Sequence, residues 1–179
     1  MTDLFAVLGV PRRPCVDADE LKERFHRLSA RHHPDAAGGS AQSFTDLNTA
    51  WQTLRDPAKC LRHYLELTHP GLLAGADQTP ADLADLFMDI ASFRQSAQKL
   101  AARLASASTP LTRALLEPER IALRARSDGL AATVADRTAR ILATLREKSP
   151  APEALTTLLS SLVFLGKWAA HLAEARQSL

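Results

Sequence analysis

Cysteines, aromatic side chains, excess charge and long apolar runs are all scarce in this chain of 179 residues. Its two cysteines, Cys15 and Cys60, exclude a disulfide framework and a four-cysteine zinc site built by this chain alone. They also point to a reducing compartment. Aromatics make up 5% of the residues, with two Trp and one Tyr, so leucine and alanine must fill the core. No apolar run approaches the ~20 residues of a bilayer span. The first residues, Met1-Thr2-Asp3-Leu4-Phe5, lack the positive region of a signal peptide. A cytoplasmic location with no membrane attachment is the expectation. The net charge is only +2. In residues 1–70 nine Lys/Arg are balanced by nine Asp/Glu, and the remainder holds thirteen against eleven. Neither half is a polybasic surface. Arg113, Arg120, Arg124 and Arg126 are interleaved with Glu117, Glu119 and Asp128, so no nucleic-acid partner is expected.

What the sequence does have is helical periodicity, with almost no β-branched alternation, and this predicts an all-α fold. A short apolar element, Leu4, Phe5, Val7 and Leu8, stops at Gly9. Asp17 followed by Glu20 resembles a capping box. The helix it opens carries Leu21, Phe25, Leu28 and His32 on one seam. It must end near His32, because the residue before Pro34 is pushed out of the α region. Residues 36–40 read as a loop. Phe44, Leu47, Trp51 and Leu54 then form a second seam. Asp56-Pro57 reads as a helix start, with Leu61, Tyr64 and Leu65 facing inward and His69-Pro70-Gly71 closing the helix.

Residues 71–80 read as a linker, so the expected organisation is 1–70, a linker at 71–80, and a second domain at 81–179. In that second domain, Leu83, Leu86, Phe87, Ile90, Phe93, Ala97, Leu100 and Leu104 form one stripe. A further helix is predicted from about Pro118 to Lys148, with Ile121, Leu130, Val134, Ile141 and Leu145 among its apolar positions. The last carries Leu155, Leu158, Leu159, Leu162, Leu165 and Leu172. Three long amphipathic helices with short connections predict an antiparallel bundle.

Five of the six histidines lie in the first 70 residues, which directs attention there. His33-Pro34-Asp35 follows a basic helix and precedes a glycine-rich loop. Pro34 fixes the chain direction as the helix ends, leaving His33 and Asp35 at a helix C-terminus. Arg24, Arg27 and Arg31 lie on one flank of the apolar seam, with Lys22 and His26 on the other. Read alone, the tripeptide could be a helix stop and the arginines a solvated face. Together they form a surface that an acidic groove could grip through charge-assisted bonds.

Phe25-His26-Arg27-Leu28, then His33-Pro34-Asp35, then the run from Leu47-Asn48-Thr49-Ala50-Trp51 to Asp56-Pro57, resembles a J-domain. The Trp51-Gln52-Thr53-Leu54-Arg55 version of that helix is similar to the HscB group of J-proteins, in which a J-domain is followed by a three-helix bundle. The resemblance implies an all-α chain: an N-terminal J-domain, built from a helical hairpin plus short helices, and a C-terminal three-helix bundle. It implies a co-chaperone for iron–sulfur cluster assembly, not an enzyme and without a cofactor. The J-domain would dock on an HscA/DnaK-type ATPase chaperone and stimulate its ATPase. The bundle would bind and deliver the iron–sulfur scaffold IscU. Carried over by position, His33, Pro34 and Asp35 trigger hydrolysis, and Lys22, His26, Arg27 and Arg31 form the docking face. Phe87, Met88, Ala91 and Phe164 would contact the scaffold.

Ser92 and Gln95 stand where that group carries acidic residues, so a J-protein whose bundle recruits a different client is the alternative. Phe87, Met88 and Phe164 fit a bundle core as readily as a contact surface, and exposure decides between the two. No metal is expected, since His26, His32 and His33 do not share one side of a helix end. Cys15 and Cys60 lack an adjacent base in sequence and read as structural thiols.

Overall fold

The computed structural model describes residues 2–33, 40–75, 80–147 and 150–179. Among them there are seven α-helices and no strand. The chain divides into two compact units, Met1–Ala76 with Leu142–Leu159, and Asp77–Ile141 with Ser160–Leu179.

The first unit contains α1 (Leu4–Leu8), α2 (Ala18–His32), α3 (Ala41–Leu54) and α4 (Pro57–Thr68). Each helix start is capped by a short polar side chain that takes up otherwise orphaned N–H groups. Asp3 accepts from Phe5 and Ala6, Asp17 from Asp19 and Glu20, Ser40 from Ser43, and Asp56 from Ala58 and Lys59. Partial burial works against ionisation of Asp3. The Arg12 hydrogen bond and charge, with the N–H groups of Ala6 and Phe5, outweigh it and hold the carboxyl below its ordinary range. α1 stops at Gly9, whose φ of 63° is left-handed. Any side chain there would be strained, and it lets the Val10 N–H reach the Phe5 carbonyl at 3.0 Å.

Phe5, Leu8, Val10, Leu21, Leu47, Ala50, Leu54 and Cys60 form the core of this unit. Burial pushes the Cys60 thiol up to about 12, so it packs as a small apolar group. His63 is buried as well. It stacks on Phe5 with ring centroids 5.5 Å apart, and its Nε2 accepts the Leu4 N–H at 3.1 Å. His63→Leu keeps the volume but leaves that first-turn N–H without a partner. It is expected to lower the urea unfolding free energy of the chain by about 1–3 kcal/mol. An unchanged midpoint would show that water replaces the ring nitrogen at no cost.

The second unit is built from α5 (Ala84–Ser106), most of α6 (Pro110–Glu147) and the later part of α7 (Pro152–Ser178). Short 3₁₀ turns at Pro70–Gly75 and Ala81–Leu83 precede α5. Leu83, Leu86, Ile90, Phe93, Ala97 and Leu100 pack against Leu116, Leu123 and Val134 of α6 and Leu165, Trp168 and Leu172 of α7.

Two sequence expectations are corrected here. α6 begins at Pro110, not near Pro118, and Pro118 lies inside it. Thr109 caps the new start by accepting the Thr112 N–H at 3.1 Å. Proline costs a helix interior one hydrogen bond, but Leu116 and Leu123, buried on either side of it, keep the helix continuous through packing. Ile121, expected to face inward, is 58% exposed. The apolar-run expectation also needs amending. α7 contains an 18-residue window of mean hydropathy 1.2, long and apolar enough to meet the criterion for a span. Its apolar side chains Leu155, Leu159, Leu162, Leu165, Trp168 and Leu172 are buried in the protein.

Candidate functional site

Two surfaces bring together the residues singled out from the sequence, one in each unit. The first is the outer face of α2. Leu21 is buried and Phe25 and Leu28 are half-buried against the core, so the 3.6-residue period turns Lys22, His26, Arg27 and Arg31 outward, and all four are exposed. Arg24, on the same flank as Arg27 and Arg31, is half-buried, with its guanidinium close to Gly9.

Aromatic contacts hold this rod against α3. Phe25 stacks on Trp51 at 4.8 Å between centroids and 20° between planes, and the Arg55 guanidinium lies 6.0 Å from the Trp51 ring centroid. Such contacts add to the area burial of the rings themselves.

α2 ends where the proline predicts. His33 has φ −56° and ψ 137°, the extended geometry imposed on a residue before proline. Its ring is exposed and meets Phe44 of α3 edge-on at 5.6 Å. A basic last turn, Arg31 and His32, sits at the negative end of the helix dipole. Pro34 and Asp35 lie outside the described residues.

The second surface lies on α5 and α7. Phe87 is 47% and Met88 66% exposed, and Ala91, one turn on, is exposed too. Phe87 and Phe164 flank Trp168 at centroid distances of 6.2 and 5.9 Å. The Lys167 ammonium lies 5.6 Å from the Phe164 ring centroid. Phe164 is half-buried and packs against the core. Phe87 and Met88 are therefore not core residues, and a pair of large apolar side chains in water beside two more rings marks an interaction surface. Sequence reasoning missed Trp168 and Lys167 as members of this cluster. Their spacing of four and three residues from Phe164 is the signal that places them on its face.

A cation lies beside the patch, next to the exposed Asp85 and Asp89 of α5. Arg126 of α6 donates to the Asp89 carbonyl at 3.3 Å and to Ser92 Oγ at 3.4 Å. Among the described residues no group of three His, Cys, Asp or Glu side chains could hold a metal ion.

The helical pair α2 and α3, packed with α1 and α4 and carrying an exposed basic face on α2, is the part of the chain that resembles a J-domain. The DnaJ domain family matches residues 3–64, and the chain carries this domain at its N-terminus, followed by further helices. Similar stretches occur in the chaperone protein DnaJ of Rhizobium meliloti (strain 1021), 42% identical over 60 residues, covering 32% of this chain and 15% of the relative. The protein NolC of Rhizobium fredii matches with the same identity and coverage. The chaperone protein DnaJ of Roseiflexus sp. (strain RS-1) is 36% identical over 90 residues, covering 49% of this chain and 24% of the relative. The chain thus spans less than a quarter of the length of these relatives.

Proposed function

We propose that this protein is a co-chaperone of the HscB type. In this reading residues 1–70 dock on an HscA/DnaK-type chaperone and stimulate its ATPase. Residues 71–80 act as a linker, and 81–179 bind the iron–sulfur scaffold IscU and deliver it. The observation that supports it most is the pairing of two exposed surfaces on one chain. One is the basic α2 face that leads to His33. The other is the apolar patch of Phe87, Met88, Ala91 and Phe164 around Trp168.

The chemistry of hydrolysis belongs to the partner. The role of this chain is to bind the hydrolysing state of the ATPase more tightly than the other, since only differential affinity shifts an equilibrium. Lys22, Arg27 and Arg31 supply steering charge with the His26 ring beside them on the docking face, and His33, Pro34 and Asp35 supply the trigger. A second reading, a different client for the bundle, is favoured by Arg126 beside Ser92. That contact places a cation beside Ser92, a position where the resemblance puts an acid.

The test is ATP hydrolysis by the chaperone with the full chain added, with and without IscU. Stimulation by the chain, raised further by the scaffold, is expected. Stimulation that ignores IscU selects the second reading, and absence of stimulation rejects both.

A further inference from the structure

α6 has two apolar faces, and the bundle uses only one. Leu116, Leu123, Ser127 and Val134 are buried. On the other side Leu111, Leu115, Pro118, Ala122, Ala125, Gly129 and Ala132 are all exposed, Leu111 by 71% and Leu115 by 72%. Their spacings are four, three, four, three, four and three residues, the repeat of a coiled-coil seam. No charged residue interrupts this seam. All of it lies within the second unit.

The seam is graded in size, and the grading is symmetric about Ala122. Its first half carries the bulky Leu111, Leu115 and Pro118, and its second half the small Ala125, Gly129 and Ala132. Two copies of α6 laid antiparallel about a two-fold axis at Ala122 place Leu111 against Ala132, Leu115 against Gly129 and Pro118 against Ala125. Every bulky side chain then meets a small one, as close packing requires. A parallel pair would set leucine on leucine at one end and glycine on glycine at the other.

The flanks agree with the same register. Antiparallel helices bring like flanks together. On one flank this puts Thr112 of each copy opposite Thr133 of the other, and Glu119, which pairs with Arg103 in its own chain, opposite Arg126, which reaches Asp89 and Ser92 of α5. On the other it puts Ile121, 58% exposed, beside its own symmetry mate. Asp128, on that second flank, is already neutralised within the chain by Arg176.

We infer that the outer face of α6 is an isologous dimer interface whose occupant is a second copy of this chain, packed antiparallel through Leu111–Ala132. An isologous interface needs such self-complementarity, and a surface shaped for an unrelated partner has no reason to show it.

Sedimentation of the full chain over a range of concentrations tests this. A mass that doubles with rising concentration is expected. Ala125→Glu, at an exposed helical position where glutamate suits the helix, should weaken association by ~10-fold or more, with helix content unchanged. Ile121→Arg, which would set two like charges side by side across the two-fold axis, should also weaken it, because only the antiparallel register brings this position against itself. A chain that stays monomeric at every concentration overturns the inference, even if it sediments with phosphatidylcholine vesicles. So does a dimer indifferent to Ala125→Glu or to Ile121→Arg.

Discussion

Asp35→Asn is expected to abolish stimulation of the DnaK-type ATPase while leaving the helix content of the chain unchanged. The substitution keeps the size and a carbonyl oxygen but removes the charge. Hydrogen bonds to a charged group contribute about 1.5–3 kcal/mol each, so losing the charge at a contact made only in the hydrolysing complex costs roughly 10–100-fold per bond. The helices before and after it are held by other contacts. α2 is fixed by Leu21 in the core, by Phe25 on Trp51 and by the Asp17 cap, and the corner by His33 on Phe44. Single-turnover ATP hydrolysis by the chaperone is the measurement. Full stimulation by the variant would show that the acid after the proline is not the trigger and would remove the main support for the docking face.

How much of this was legible in the sequence follows from how many signals each element carries. α1 to α4 each combine a cap, an apolar seam and a glycine or proline stop, so local chemistry and packing give one answer. The exposure of Lys22, His26, Arg27 and Arg31 follows directly from burying Leu21 and its seam. α6 was less legible for an identifiable reason. It is apolar on two sides, so the inner stripe that marks a helix in sequence is blurred. Pro118 mimics a start when read without Thr109 and Thr112. The inward expectation for Ile121 failed because spacing shows that a residue is on a stripe but not which of two stripes faces the core. Phe87 and Met88 posed the same problem on α5, where Leu86, Ile90 and Phe93 claim the core and leave their neighbours outside. The cluster around Trp168 needed the fold, because nothing in a linear chain pairs residue 87 with residue 168.

Replacing Phe87 and Met88 together by serine is expected to eliminate capture of IscU without changing how the J-domain acts on the ATPase alone. Large apolar side chains at the centre of an interface are the usual sites of concentrated binding energy, with truncation costs of about 2 kcal/mol or more each. That corresponds to a loss of roughly 30-fold per residue, and the two effects need not add. The cost to folding is smaller, because both side chains are largely in water while Ile90, Phe93, Leu165 and Trp168 carry the core of this unit. Measured by retention of purified IscU on the full chain, the double variant separates the two surfaces. If it loses capture and still stimulates basal ATP hydrolysis, the scaffold reads the patch at Trp168. If the unaltered chain retains no IscU while Ser92→Glu gains it, the acid missing from α5 decides the client, because a carboxylate there would neutralise the Arg126 that crosses to Ser92. If both forms retain IscU equally, the scaffold sits elsewhere and the exposed rings serve another partner.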